Sequence, residues 1–303
     1  MDERDLKIAS NVYLEKESVI NFENATRLDN EVLYKIGEFI HNTLTNLSII
    51  DKKEFVLLDT GTGTGRTVLN ILQYFYDQDF RFRADCYDIS IYMLRLFNHH
   101  LNEFEHFKNR IKLIEHDANK GLINFPKYDL ALFVSVLHYF NNWRNYLDNL
   151  LLHLKSNSCI VIAELIGWYR LLDGVFDYSP QNIDEEFHVK FWNKYFELRS
   201  HYGQWAPEIC FSYQKPVYEY LEKKHLINVS SKDFLWNIEI CWEDVLAWIR
   251  YGPVSSLGSN IIIPHGRELL MREMKNYLDS QDKNLTERFT ISWGFKVLIY
   301  QKC

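Results

Sequence analysis

The chain has 303 residues, with 41 acidic and 34 basic side chains and a formal net charge of −7. Apolar residues make up 47% of it, which is enough for a sizeable core without disulfides or metals. The acidic balance and the lack of a long Lys/Arg run argue against a broad nucleic-acid surface, and no apolar run is long enough to span a bilayer.

Cysteine usage and the charged start of the sequence point to a cytoplasmic protein. The five cysteines are scattered with no close pair at metal-ligand spacing, so we expect reduced thiols and no metal site. The first residues read MDERDLK, which is not the pattern of a secretory signal. We therefore predict a cytoplasmic location without a membrane partner, and the composition leaves a homo-oligomer open.

The residues that precede the first predicted strand are expected to be mostly helical. Asp29 or Asn30 can cap a helix whose apolar residues recur at helical spacing from Val32 to Ile40. An aromatic and arginine-containing stretch, NFENATRLD, lies just before this helix.

The stretch FVLLDTGTGTGRT at Phe55–Thr67 predicts a buried strand, a tight turn and the start of a helix. Gly61, Gly63 and Gly65 alternate with threonine in the turn. Glycine tolerates positive φ and lets a ligand lie against the backbone, and the amides at a helix start favour anionic groups. A strand–helix turn that binds no ligand would have the same local sequence pattern. The acids that follow the later strands are what favours a ligand-binding turn.

Acidic residues follow the next two predicted strands. Further strands are predicted at 84–87, 111–115, 128–136 and 159–164, with helices at 88–107 and 143–154. Asp88 ends the second strand, and an acid about 20 residues beyond the glycines can accept both hydroxyls of a ribose. Asp117 follows the third strand and is placed to accept from an adenine amino group. The alternation with short joins predicts a parallel sheet with helices on both faces.

The motifs DTGTGTG, YDIS, EHDA and YDLALFVSVLHYF, in this order over Phe55–Glu164, resemble the class I S-adenosylmethionine-dependent methyltransferases. The resemblance implies an α/β fold: a Rossmann-like, doubly wound, seven-stranded sheet, mostly parallel with an antiparallel last strand, plus a helical insert between strands 5 and 6. It implies S-adenosyl-L-methionine as the cofactor and S-adenosyl-L-homocysteine as the product.

The resemblance also implies a role for each motif residue. The expected ligand contacts are Asp59 near the methionine end, Gly61, Thr62 and Gly63 along the ligand, Asp88 on the ribose hydroxyls, Ile89 against the adenine face, Asp117 and Ala118 at the adenine edge, and Ser135 near the sulfonium. Many members have Glu where this chain has Asp59. Arg27 is expected to pair with the cofactor carboxylate, with a solvated arginine near a helix start as the alternative.

The sequence predicts a division into four parts. These are an N-terminal helical cover at 1–50, the cofactor-binding core at 51–165, a helical substrate-cover insert at 166–225 and the C-terminal part of the core at 226–303. The insert is rich in aromatic residues, which either line an apolar acceptor pocket or pack the cover onto the core. These aromatic residues are Trp168, Tyr169, Trp192, Tyr195, Tyr202 and Trp205.

Transfer from a sulfonium requires in-line alignment and exclusion of water, and a general base helps when the acceptor loses a proton. His138, Glu164 and His201 are the candidate bases, in that order. For His138 the alternative is a histidine at a helix start that bonds only to backbone.

The predicted function is methylation of a small-molecule acceptor. The fourth strand is not followed by the Asn/Asp-Pro-Pro-Tyr element of the resembling enzymes that methylate adenine amines or the glutamine amide, nor by the cysteine of a cytosine-type covalent mechanism. With the acidic balance, these departures disfavour a nucleic-acid acceptor. The alternatives are a methyltransferase acting on a protein or RNA and a non-catalytic cofactor-binding or interaction module of the same fold. A dinucleotide oxidoreductase is a weaker reading, because the third glycine is spaced too closely for it.

Overall fold

The computed structural model describes residues 19–20, 28–49, 55–122, 125–137, 140, 142–167, 171–172, 175–176, 185–201, 214–251 and 266–302. The chain divides into two compact units. The first, here called the sheet unit, comprises Leu28–Leu165, Gln214–Phe234 and Phe295–Cys303. The second, here called the aromatic unit, comprises Met1–Arg27, Ile166–Tyr213 and Leu235–Gly294. The four-part functional division stays a prediction.

The main sheet has seven strands in the order β3-β2-β1-β4-β5-β9-β8, with an antiparallel last strand. Strands β1 to β5 pair in parallel, β1 with β2 and β4, β2 with β3, and β4 with β5. The predicted α/β fold is therefore confirmed. The strands are β1 Phe55–Thr60, β2 Phe82–Asp88, β3 Ile111–Glu115, β4 Tyr128–Val134, β5 Leu154–Gly167, β8 Leu226–Cys241 and β9 Arg288–Lys302.

Three helices of the sheet unit begin at side chains that cap them. Asp29, Ser90 and Asn142 each accept a hydrogen bond from a backbone N–H three residues further on, at 3.0, 3.2 and 3.2 Å. These caps satisfy amides that a helix leaves without an internal partner. The helices are α1 Asn30–Asn46, α2 Arg66–Asp77, α3 Ile91–His100, α4 Trp143–His153 and α6 Gln214–Lys223.

Helix α1 packs closely along α2. A Cβ built on Gly37 would lie 2.4 Å from the carbonyl oxygen of Ile71, so only glycine allows this approach of the two backbones. Around the contact, the ring of His41 meets those of Tyr74 and Phe75 edge-on. Helix α1 thereby covers the helix that follows the glycine turn.

Several predicted boundaries are wrong, each for a local reason. The helix predicted at 88–107 is divided into α3 and a 3₁₀ helix, Leu101–Phe107, which is kinked at the non-helical Phe104. Strand β4 ends at Val134, since Ser135 has a φ of 47°. Strand β5 starts five residues early and contains a bulge, where Ser158 Oγ donates to the Lys155 carbonyl at 2.7 Å.

The aromatic unit has its own core around Trp242, which is 1% exposed. The rings of Phe187, Phe191 and Phe289 lie 5.4, 4.8 and 4.9 Å from that of Trp242. The described elements of this part are β6 Leu171–Leu172, β7 Val175–Phe176, α5 Glu185–His201, α7 Trp242–Tyr251 and α8 Gly266–Ser280. Strands β6 and β7 pair antiparallel, which the prediction of helices and loops for the insert did not include.

Among the helices within the described ranges, none combines the length and apolar character needed to cross a bilayer.

Candidate active site

The glycine turn leaves the carboxyl end of β1 and leads into α2. Its three glycines have positive φ values of 64°, 57° and 79°, at Gly61, Gly63 and Gly65. The turn is anchored by two backbone hydrogen bonds, from Thr62 N–H to the Tyr87 carbonyl at 3.0 Å and from Gly65 N–H to the Thr62 carbonyl at 3.1 Å. The turn therefore has a fixed backbone at the edge of the sheet where the parallel strands end.

The three glycines have very different surroundings. A Cβ on Gly61 would lie 2.1 Å from Cγ2 of Val136, and one on Gly65 would lie 2.4 Å from the ring of Phe97. No described atom lies within 4 Å of a Cβ built on Gly63. The turn is thus packed against protein at both ends and open at its centre, which leaves bare backbone for a ligand to contact.

Asp88, at the end of β2, is bonded directly to this open centre. Its Oδ2 accepts from Gly63 N–H at 2.9 Å, and its Oδ1 accepts from Ser90 N–H at 2.8 Å. Burial raises the pKa of the Asp88 carboxyl, and hydrogen bonds from the Ser90, Gly63 and Ile89 amides oppose that rise. The carboxylate is thereby fixed beside the open turn, where its remaining lone pairs can accept from a ligand hydroxyl. Ile89, the next residue, is half-buried.

Asp59 lies under the turn and is 3% exposed. Thr62 Oγ1 donates to its Oδ2 at 2.5 Å. Burial raises the pKa of Asp59 to about 7, the Thr62 hydroxyl opposes this, and the nearby Asp88 carboxylate adds to it. Asp59 therefore takes up or loses its proton close to neutral pH.

Asp59 is expected to make stability fall as pH rises. Its pKa is raised from 3.8 to about 7 on folding, so between these values the folded protein binds more protons than the unfolded chain, and the free energy of unfolding decreases with pH. Asn mimics the protonated acid and does not titrate. We therefore expect the free energy of unfolding of Asp59→Asn, relative to that of wild type, to increase by about 3 kcal/mol as the pH rises from about 5 to about 8. Urea unfolding across this range measures the difference.

The matched control for that experiment is Asp79→Asn. Asp79 is an exposed acid of the same unit with a φ of 59°, a conformation that asparagine also adopts. The free energy of unfolding of Asp79→Asn should change with pH in the same way as that of wild type. An Asp59→Asn curve parallel to wild type would show that Asp59 ionises as an ordinary exposed acid.

The loop after β3 lies alongside the end of β2, because His116 N–H donates to the Asp88 carbonyl at 2.9 Å. Asp117 is half-buried and Ala118, which begins a short 3₁₀ helix, is 9% exposed. His116 Nε2 lies 2.6 Å from the Gly121 carbonyl and its ring packs on Phe125, which holds the loop in place. The structure thus brings the loop of the predicted adenine-edge residues to the end of the strand that carries Asp88.

Ser135 directly follows the end of β4, and Glu164 lies within the neighbouring strand β5. Ser135 N–H donates to the Ala163 carbonyl at 2.9 Å, and Ser135 Oγ accepts from Leu165 N–H at 3.1 Å. The serine hydroxyl therefore joins the end of β4 to β5. Glu164 is 3% exposed and, contrary to the sequence prediction, does not end its strand, because β5 continues to Gly167.

The candidate base His201 is the exposed last residue of α5, in the aromatic unit, whereas Glu164 belongs to the sheet unit. His138 and Arg27 lie outside the described residues. The order of preference among the three bases stays a prediction.

Two aromatic residues of the insert belong to a hydrophobic core. Trp192 and Tyr195 are 0% and 1% exposed, with ring centres 5.4 Å apart. Trp192 Nε1 donates to His188 Nε2 at 3.2 Å. These contacts match the packing alternative for both residues; Trp168, Tyr169, Tyr202 and Trp205 lie outside the described residues.

Sequence reasoning missed a buried hydroxyl cluster at the ends of β1 and β2. The hydroxyl of Tyr146, from α4, is hydrogen-bonded to Thr60 Oγ1 at 3.0 Å and to the Tyr87 hydroxyl. Burial raises the pKa of both tyrosines, so both stay protonated. The cluster ties α4 to the strand ends that carry the turn.

Within the described ranges, no group of three or more His, Cys, Asp or Glu side chains could hold a metal ion. The strand order, the turn after β1 and the acid at the end of β2 together define the class I α/β methyltransferase fold. Residues 58–160 match the model of a family described as a methyltransferase domain. The match spans about a third of the chain, and it agrees with the predicted class of S-adenosylmethionine-dependent methyltransferases and with its cofactor.

The solved structures that resemble this chain have little sequence identity to it. YjhP from E. coli is 15% identical, over 95% of this chain and 98% of that chain, with a TM-score of 0.52. YcgJ from Bacillus subtilis is 15% identical, over 86% of this chain and 98% of that chain, with a TM-score of 0.46. A methyltransferase from Geobacter sulfurreducens was solved with S-adenosyl-L-homocysteine. It is 13% identical, over 92% of this chain and 96% of that chain, with a TM-score of 0.49. No curated protein matches the chain. The likeness to YjhP shows the fold alone.

Proposed function

We propose that this chain binds S-adenosyl-L-methionine on the glycine turn and methylates a small-molecule acceptor. The observation that carries the proposal is the open backbone at Gly63 beside the fixed carboxylate of Asp88. The cofactor, when bound, supplies a methyl group that its sulfonium has already activated. The protein has to hold it, align an acceptor and exclude water.

Asp88 is the proposed ribose ligand. Each of its carboxylate oxygens already accepts one backbone N–H, which fixes the side chain and leaves further lone pairs for the two ribose hydroxyls. Ile89 would pack against the adenine, and Asp117 with Ala118 would hold its edge. Gly61, Thr62 and Gly63 would lie along the ligand.

The methionine part would lie towards Asp59 and Ser135, with Arg27 on the carboxylate. Asp59 is buried under the turn and takes up its proton near neutral pH, so a cationic group beside it would favour its ionised form. If the acceptor has to lose a proton, His138, Glu164 and His201 remain the proposed bases. Glu164 offers a carboxylate one residue beyond the backbone that binds Ser135.

The net charge of −7 and the residues Ser135-Val-Leu-His138 after β4 favour a small molecule over a nucleic acid. A protein or RNA acceptor and a non-catalytic binding module remain the alternatives. A methyl-labelled cofactor incubated with cell extract tests all three, since the label would appear in the small-molecule, protein or RNA fraction. Cofactor binding without label in any fraction would favour the non-catalytic module.

Asp88→Ala tests the proposed site directly. We expect wild type to bind S-adenosyl-L-homocysteine in calorimetric titration and Asp88→Ala to bind at least about 100-fold more weakly, because two hydrogen bonds to a charged acceptor are lost. Asp88→Asn, which keeps one acceptor oxygen, should fall between them.

Glu115→Ala is the control, since Glu115 is the exposed partner of Asp88 in the register of β2 and β3. It should bind as wild type does. Wild-type protein that binds NAD and not S-adenosyl-L-homocysteine would overturn the proposed function.

A further inference from the structure

The glycine turn is held on its packed side by helix α3. The ring of Phe97 fills the space beside Gly65, with three ring atoms within 2.6 Å of a Cβ built there. One turn further along the same helix, His100 Nδ1 lies 2.9 Å from the carbonyl oxygen of Thr64. Residues three apart lie on one face of a helix, so Phe97 and His100 present a single surface to the turn.

The contact of His100 fixes one particular peptide group. The Thr64 carbonyl and the Gly65 N–H belong to the same peptide plane, and that N–H donates to the Thr62 carbonyl at 3.1 Å. The plane is therefore hydrogen-bonded at both of its ends. Gly65 has a φ of 79° and no Cβ, so its backbone has other accessible conformations, and these two bonds select one of them.

The tautomer of His100 follows from its partner. A carbonyl oxygen only accepts, so Nδ1 has to carry the proton in this contact. Thr64 is 6% exposed and His100 is half-buried. The contact between them is direct, so the donor does not depend on an ordered water.

The open side of the turn is fixed from the same segment of chain. Asp88 binds Gly63 N–H just before α3 begins, and His100 binds the Thr64 carbonyl at the point where α3 ends. Two adjacent turn residues are thus held by one side chain that precedes α3 and by one that ends it. The orientation of the Gly63 backbone, on which the proposed ligand lies, depends on both of them.

We propose that His100 is a positioning residue for the cofactor, which keeps the glycine turn in its binding conformation without touching the ligand. This inference rests on the proposed function of the turn. Without the His100 donor, the Thr64–Gly65 peptide gains freedom that ligand binding then has to remove, so affinity falls while the fold remains.

The test compares three variants by calorimetric titration with S-adenosyl-L-homocysteine. We expect His100→Ala to bind about tenfold more weakly. His100→Asn should bind within about threefold of wild type, since the amide nitrogen of asparagine occupies the place of Nδ1. His99→Ala removes the exposed neighbouring histidine and should bind as wild type does. Melting temperatures of the ligand-free variants should agree within about 2 °C.

Hydrogen–deuterium exchange of the ligand-free protein provides a second readout, over the peptide that spans the turn. Exchange there should be faster in His100→Ala than in wild type, His100→Asn or His99→Ala. If wild type fails to bind the ligand, the proposed function fails, and the exchange data still decide the role of His100. Unchanged affinity and unchanged exchange in His100→Ala would overturn the inference, as would equal losses of affinity and melting temperature in the Ala and Asn variants.

Discussion

Gly63→Ala is expected to abolish detectable binding of S-adenosyl ligands in a protein that still folds. The new methyl group meets no described atom within 4 Å, so it adds no clash with the protein. It costs about 1 kcal/mol of stability, because alanine is strained at a φ of 57°. The methyl group instead occupies space that the ligand needs, and we expect affinity to fall by about 100-fold or more. Calorimetric titration and thermal unfolding measure the two effects separately.

The matched control is Gly121→Ala. Gly121 also has a positive φ, 73°, and a Cβ there would lie no closer than 3.4 Å to Asn149. It should show a similar loss of stability with ligand affinity close to that of wild type. Wild-type affinity in Gly63→Ala would mean that the ligand does not lie on the open side of the turn.

Gly65→Ala is expected to have the largest effect on stability. The added Cβ would lie 2.4 Å from two ring atoms of Phe97, which is itself fully buried and cannot move aside. Strain at a φ of 79° adds to this overlap, and together they should cost about 3 kcal/mol or more. For a chain of this size that corresponds to a melting temperature lower by roughly 10 °C.

A second substitution tests the cause of that loss. Phe97→Leu alone removes buried ring atoms and should destabilise the protein, yet in the Gly65→Ala background it makes room for the methyl group. The double variant should therefore be more stable than the sum of the two single losses predicts. Strict additivity would show that Phe97 is not the group that Gly65 has to avoid.

The sequence was sufficient to predict the elements that carry the site. The apolar run of β1, the alternating glycines and the helical spacing from Val68 to Phe75 are local patterns, and the structure shows strand, turn and helix at these residues. Asp88 was predictable in the same way, as the acid that ends a short apolar strand. Because β1 and β2 pair in parallel, both strands end at the same edge of the sheet, where Asp88 accepts from Gly63 N–H.

The remaining contacts of the site join residues that are far apart in the chain. His100 and Thr64 are separated by 36 positions, and Tyr146 and Thr60 by 86. Neither pair leaves a local pattern of apolar or charged residues, so nothing in the sequence indicates that they meet. The bulge in β5 was also missed, because a prediction by periodicity treats Lys155–Ser158 as the turn before the strand.

The aromatic residues of the insert show a different limit of prediction from sequence. Their abundance fits a substrate pocket as well as a core, and only spacing separates the two readings. Phe187, Phe191 and Tyr195 recur every four residues on α5 and are all buried, which is the pattern of a helix face in a core.

The close contact of α1 with α2 bears on how small a working version of this protein can be. The family match begins at residue 58, after α1 has ended. Trimming the chain to that match would remove α1, whose Gly37 allows the helix backbone to contact Ile71 of α2. The side chains of α2 that α1 covers would then be exposed to solvent. We therefore expect the smallest autonomous piece that retains the turn to start no later than Asp29, which caps α1, so the boundary of the family match is not a boundary of folding.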